Sequence, residues 1–500
     1  MLLQKFVFTF IIPVLFFSFF LFSCQGQKPV GEFSGQTDIG KINIKGSAKF
    51  DAGKDEYRIT GSGENIWGNE DAFHFVWKKT GGDLVMQTDI SWIGDGINAH
   101  RKGGWMVRAG LEADAPYADA AVHGDGLVSL QYRKEPGGPT MEVKSPVSGP
   151  VRIKLEKTGS LYSLYVAGDG TNFIPVGAIN VAMGDTVYAG LFVCSHDSTV
   201  SETAVFTNVG FENLGTVEED KRVLESNLEI FNIYTGQRRI VYSAKDHFEA
   251  PNWSRDGQTL IFNSKGLLYS IPVTGGEPAQ INTGTATECN NDHGLSPDGK
   301  SLVISSQHDG GTSIIYTLPA EGGEPEQITP LGPSYWHGWS PDGKQLAYCA
   351  ERNGEYDVYT IPVHGGWEKR LTSAPGLDDG PDYSPDGRYI YFNSVRTGAM
   401  RIWRMRTDGS RQTQMTFDEQ YGDWFPHPSP DGEWLVFVSF DKSVEGHPAN
   451  KEVALRLMPV EGGEPRVLTQ LFGGQGTINV PSWSPDSREF AFVSYRLVLP

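Results

Sequence analysis

One short turn, repeated six times through the second half of the chain, restricts the fold more than any other feature. It reads WSRDGQ (253–258), LSPDGK (295–300), WSPDGK (339–344), YSPDGR (383–388), PSPDGE (428–433) and WSPDSR (483–488). Counted from Ser254, the intervals are 42, 44, 44, 45 and 55 residues. Such a period belongs to radial or solenoidal repetition. Proline at the second turn position pre-sets φ and glycine at the fourth relieves the exit, so a type I turn is expected. Alternating segments follow each turn, such as QLAYCAER (345–352) and YDVYTIPV (356–363), then a glycine turn such as EGGEP (321–325) and a last short strand. Four short antiparallel strands per unit make one propeller blade. The aromatic residues ahead of the serine, Trp253, Trp339, Tyr383 and Trp483, are expected to pack between blades.

The two ends of this region complete one another. The last unit stops after REFAFVSYRL without outer strands, while SNLEIFNIYTGQRRIVYS (226–243) precedes the first turn. Pairing 226–243 with the last repeat closes a ring of six blades over 224–500 and hides its free edges. Upstream, residues 31–213 carry no repeat but many alternating segments separated by turn signals, among them DLVMQTDISWI (83–93) and TVYAGLFVCSHD (186–197). These read as a two-sheet β-sandwich, and the polar run over 214–223 reads as a linker. The fold class expected is all-β: a six-bladed β-propeller preceded by a β-sandwich of jelly-roll type.

The N-terminus, MLLQKFVFTFIIPVLFFSFFLFSC, has an early lysine, an apolar run and LFSC ending at Cys24. Residues 1–23 are read as a signal peptide and 24–30 as a tether. The sequence resembles a bacterial lipoprotein signal, which implies lipidation of Cys24 and a lipid-anchored place in the cell envelope; Gln25 after the cysteine favours the outer membrane. An ordinary secretory signal or a membrane anchor is the alternative. Cys194, Cys289 and Cys349 match no disulfide framework or zinc spacing and are expected to be buried. A formal charge of −19 argues against nucleic acid as a partner.

Ligands of a propeller usually enter at one end of the central channel, where the inner strands begin. The repeat places six short segments there: FEAPNW (248–253), NNDHGL (290–295), SYWHGW (334–339), DDGPDY (378–383), WFPHP (424–428) and INVPSW (478–483). His293, His337 and His427 fall at near-equivalent places, joined by Asp292, Asp378, Asp379 and Asp382. Histidine and carboxylate converging in a polar mouth suit a divalent metal, with the three histidines as its ligands, or acid–base work. Tyr335, Trp336 and Trp424 would add stacking surface for a sugar ring. Residues 439–456, the excess of the fifth unit, are a surface insertion or a roof over the channel. In the N-terminal half, Trp105, Arg108, His123, Gln131 and Arg133 lie on strands that would line a concave sheet, where they would stack on and hydrogen-bond to a sugar.

The recurring SPDGK turn, strand and GGEP pattern resembles the six-bladed propeller of the TolB family. The order GGWMVRAG, APYADAAVHGDGLVSLQYR, LYVAGDGTNFIPVG, AGLFVCS resembles the concanavalin-like jelly rolls of carbohydrate-associated proteins. The first resemblance implies a fold more firmly than an activity, since related propellers serve as scaffolds, peptidase gates and a pectin lyase. The reading favoured is a binding or scaffold lipoprotein for a protein or glycan ligand. The alternative is a polysaccharide-processing lyase or hydrolase working at the channel. A prolyl peptidase is disfavoured, because no Gly-x-Ser-x-Gly elbow is present.

Overall fold

The computed structural model describes residues 29–145, 147–149, 152–168, 173–216, 221–307 and 311–498. The expected signal segment and Cys24 lie outside these residues. Among the described residues regular structure is almost wholly strand, with a 3-10 turn at Gln475–Thr477.

The C-terminal half forms six sheets in chain order. Five have four strands each; the first, for instance, runs Glu249–Trp253, Thr259–Ser264, Leu267–Pro272 and Ala279–Ile281 from the inside outwards. The sixth joins Glu489–Val498 to Val223–Asn232 and Arg238–Ala244, with Trp483 bridging Phe490 on the inner side. Strands from both ends of the region therefore share one blade, and Phe231 stacks on Phe490 across the seam at 5.4 Å.

The repeated turn is held the same way in every blade. In the first, Ser254 Oγ donates to Asp256 Oδ1 at 2.6 Å and accepts the Thr259 N–H at 2.9 Å. The pairs Ser296–Asp298, Ser340–Asp342, Ser384–Asp386, Ser429–Asp431 and Ser484–Asp486 repeat the first bond at 2.5–2.7 Å. Serine and aspartate thus satisfy each other and the turn's backbone, which is why both recur. The tryptophan before the serine spans the gap between blades. Trp339 Nε1 donates to Gly294 O of the preceding blade at 3.3 Å, and Trp483 Nε1 to His427 O at 3.0 Å.

The N-terminal half contains two seven-stranded antiparallel sheets. One is ordered Gly35–Ile39, Phe73–Gly81, Thr186–Cys194, Lys102–Arg108, Tyr117–His123, Val128–Arg133, Met141–Lys144. Alternate residues of both sheets, including Val76, Trp105 and Leu130 from one and Ile59, Leu155 and Leu164 from the other, form a single apolar core. The opposite face of the first sheet is covered by a hairpin at Ile66–Asp71, and a second apolar cluster with Phe73, Met106 and Tyr117 lies there. Cys194, Cys289 and Cys349 are free and buried.

Candidate functional site

The six segments ahead of the turns are the innermost strands themselves, or for 478–483 the equivalent stretch. Each of the five full inner strands has a register irregularity at the same place, between Glu249 and Asn252, Cys289 and His293, Trp336 and Gly338, Asp379 and Asp382, and Trp424 and His427. Ala250, Gly380 and Phe425 take a left-handed backbone there, with φ of 58, 60 and 53°. Such bulges re-aim side chains. Here they separate residues that face the channel mouth from residues that fold back between blades.

At the mouth is a cavity of about 630 Å³. Its wall includes Glu249, Asn291, Tyr335 and Asp379, which share one repeat position, five residues before the turn serine. Asn290, Asp292 and His337 flank them on the same strands, and His247, Gln307, Tyr356 and Gln475 complete the polar rim. The insertion of the fifth blade contributes His447 and Ala449. The His447 ring is 4.4 Å from Trp424 and 5.3 Å from Phe425, so the inserted loop reaches over the mouth.

Two carboxyls in this cavity are driven in opposite directions. Burial raises Asp379, but a bond from His337, the charges of His337 and His447 and the Gly380 N–H outweigh it and bring the group down to about 2. Asp292 is raised to about 7, first by burial and then by the charges of Asp379 and Glu249, against the pull of His337. Asn479 Nδ2 donates to Asp292 Oδ1 at 3.0 Å. Burial alone would lower His337, yet Asp379, Asp292 and the Asn479 carbonyl take it up to about 8. The mouth therefore holds an imidazolium–carboxylate pair beside a carboxyl that keeps its proton close to neutrality.

Of the ten mouth candidates, Asp292, Tyr335, His337 and Asp379 line the cavity. The other six are placed elsewhere. Trp336 is 1% exposed and packs the outer edge of its ring against Gly294, where a Cβ would meet it at 2.2 Å. Trp424 is buried against Phe425 and His447. Asp378 is tied to Arg396 at 2.6 Å, and Asp382 to His427 at 3.1 Å. His427 also spends its second nitrogen on Ile478 O at 3.1 Å. His293 is fully buried beside the backbone, and burial lowers it to about 4.

The three histidines do not converge. Ligand atoms of His293, His337 and His427 do not gather as a metal-sized group among the described residues. His427 has no free nitrogen and His337 is held in an ion pair, so the expected histidine metal centre does not fit this mouth. Equivalent repeat position was a poor guide here: His337 lines the cavity, whereas His293, at the same repeat position, and His427 are buried away from it.

The sandwich candidates also move to the interior. Trp105 is 0% exposed and packs on Phe33 and Phe211. Arg108 and Arg133 converge on Asp71, with Nη1 of Arg108 at 2.7 Å and Nη2 of Arg133 at 2.7 Å, all three side chains without exposure. These guanidiniums are spent on a buried ion triad and are not offered to a sugar. His123 and Gln131 are buried on the same face, their ring and amide nitrogens 3.3 Å apart. Reading the sheet as an open concave surface overlooked the hairpin at Ile66–Asp71 that covers it.

The sequence signal for the cavity was the column five residues before the serine in the first four blades, more than the histidines; Trp424 and Asn479 at the same repeat position do not line it. Gln307, Tyr356 and Gln475 come from outside the inner strands and carry no such signal.

Comparison with known proteins agrees with this architecture. The family model for the TolB β-propeller domain matches residues 332–496. An uncharacterised protein of Agrobacterium fabrum is 54% identical over 273 residues, 54% of this chain and 93% of the relative. A solved structure from Agrobacterium tumefaciens, provisionally assigned as TolB, is 54% identical and aligns with a TM-score of 0.54, covering 55% of this chain and 99% of that one. An oligogalacturonate lyase solved with manganese is 16% identical with a TM-score of 0.34, over 51% of this chain and 68% of that one. That likeness bears on neither activity nor metal. Through its C-terminal half, the chain belongs to the family of TolB-type six-bladed β-propeller proteins.

Proposed function

We propose that this protein is an envelope-anchored binding lipoprotein whose propeller mouth takes a glycan. In this reading lipid on Cys24 holds the chain at the outer membrane, on its periplasmic or surface face. The N-terminal unit is a concanavalin-like jelly roll over 31–213, joined by a linker at 214–223 to the propeller at 224–500.

The observation that carries the ligand class is the lining of the mouth. Tyr335 and Tyr356 offer ring faces for a sugar, while Asn290, Asn291, Gln307 and Gln475 offer amides for its hydroxyls. Glu249 and Asp379 add carboxylate acceptors, which favour a neutral or amine-bearing glycan and oppose a polyuronate. Glycan-array binding of the full chain, with Tyr335→Ala as comparison, tests this. Binding lost in the variant supports a glycan site at the mouth, and a protein ligand is the remaining reading if no glycan binds.

An acid–base enzyme is the second reading, favoured by the proton held on Asp292 next to ionised Asp379. New reducing ends or unsaturated products from a bound glycan would establish it. Their absence with binding intact leaves the binding role.

A further inference from the structure

In the N-terminal half, a ring nitrogen of His100, a ring nitrogen of His123 and a carboxylate oxygen of Asp125 all lie within 4.8 Å of one another. No other trio of histidine, cysteine or carboxylate is so gathered among the described residues. We propose that this cluster binds a divalent transition metal of the zinc type, with His100, His123 and Asp125 as its protein ligands. The inference is independent of the glycan reading at the propeller mouth.

His123 is the fixed ligand. It ends the strand Tyr117–His123, is 5% exposed, and its Nδ1 is buried without a hydrogen-bond partner. Its Nε2 faces the Gln131 amide at 3.3 Å, so Nδ1 is the nitrogen left for a ligand. With metal on Nδ1 the proton sits on Nε2, and Gln131 gives up its contact with His123. The Gln131 amide nitrogen also donates to Glu142 Oε1 at 3.2 Å, and its oxygen accepts from Lys102 at 3.3 Å.

The other two ligands stand on loops laced to this strand. Gly124 N donates to Arg101 O at 2.8 Å and Asp125 N to Ala99 O at 2.9 Å. Asp125 Oδ1 accepts the Leu127 N–H at 3.0 Å, which leaves Oδ2 facing His100 Nδ1 at 3.8 Å. Zinc bonds of about 2.0–2.2 Å put neighbouring ligand atoms roughly 3.3 Å apart, so the separations within the cluster must contract by at most about 1.5 Å. The side chains of His100 and Asp125 are 58% and 39% exposed and can make that movement. His196 stands beside them, its ring 5.7 Å from that of His100. It or water would take the fourth position.

Lys102 pairs with His123 in the sheet, and its ammonium donates to Ile66 O at 3.2 Å and to Gln131 Oε1 at 3.3 Å. Two imidazoles and one carboxylate select zinc or its first-row neighbours over calcium and magnesium.

The test is metal stoichiometry of the full-length protein after equilibration with Zn²⁺ and dialysis, with Co²⁺ absorption as a second readout. One zinc per chain is expected, lost in His100→Gln and in Asp125→Asn and retained in His337→Gln. Both decisive positions are exposed, so circular dichroism of these variants should match the wild type even if His123→Gln misfolds. Absence of stoichiometric zinc, zinc retained by both variants, or displacement by equimolar Ca²⁺ overturns the proposal.

Discussion

Nε2 of His337 stands 3.2 Å from Oδ1 of Asp379, while Nδ1 of the same ring faces the carbonyl of Asn479 at 3.3 Å. Both ring nitrogens meet acceptors, and an imidazolium satisfies both. The pair ties the third blade to the fourth and to the segment that precedes the final turn.

Its contribution to stability has a defined pH window. His337 is raised from 6.5 to about 8, so its contribution is complete below 6.5 and disappears as the pH rises through about 8. The shift corresponds to about 2 kcal/mol. Asp379 is lowered, so its contribution is present above the ordinary carboxylate range and lost as the pH falls towards about 2. Urea unfolding of wild type and His337→Gln should differ by roughly 2 kcal/mol more at pH 6 than at pH 9. An equal difference at the two values would mean a neutral imidazole.

Asp292 behaves in the opposite sense to Asp379. Its carboxyl is raised from 3.8 to about 7, so the folded state loses stability as the pH climbs between those two values, and the penalty is complete above about 7. Asp292→Asn keeps an acceptor for Asn479 and removes the titrating proton. The variant should melt higher than wild type at pH 8.5 and within a degree or so at pH 4, a contrast that thermal scans can read directly.

Asp71 carries two arginines in a water-free setting. Asp71→Ala strands both guanidiniums, and loss of one partner from a buried ion pair costs about 3–5 kcal/mol. The two-sheet half should unfold at lower denaturant while the propeller keeps its own transition. If Arg108→Ala and Arg133→Ala instead leave stability unchanged and reduce sugar binding, the two arginines belong to a ligand site after all.

The propeller should also depend on its shared blade. Glu229 bonds Arg238 at 2.7 Å and accepts from Ser494 at 2.5 Å, linking both end segments inside one sheet. Deleting residues 489–498 exposes the edge of Val223–Asn232 and unpins that network. Limited proteolysis should then cut throughout 223–488, whereas the intact chain should resist. Protection equal to the intact chain would show that closure is dispensable.

The six-bladed propeller was legible because the blades repeat the same local problem: a Ser-x-Asp turn that must satisfy its own backbone in all six, and in four of them an aromatic ahead of it that must fill the gap between blades. Trp339 and Trp483 show that logic plainly, each donating to the neighbouring blade. The mouth was only half legible. Tyr335 and Asp379 could be placed from the repeat, but a bulge of one residue decides whether a side chain meets the cavity or the core, and periodicity does not register it. His427 falls past that bulge, whereas Trp336, next to Tyr335 ahead of it, turns to the opposite face by ordinary alternation. The N-terminal candidates failed for a different reason. All five were expected to line one open sheet, but Trp105 faces the core between the sheets, and only the fold reveals that a hairpin carrying Asp71 closes over Arg108 and Arg133.

The central claim is that the propeller mouth is a glycan-binding site, and the most direct measurement is glycan-array binding by wild type, Tyr335→Ala and Asp379→Asn side by side. The expected result is one class of neutral or amino glycan bound by the wild type, reduced at least tenfold by Tyr335→Ala and weakened by Asp379→Asn, with all three proteins folded. Binding unaffected by both substitutions, or no glycan bound by the wild type, would contradict it.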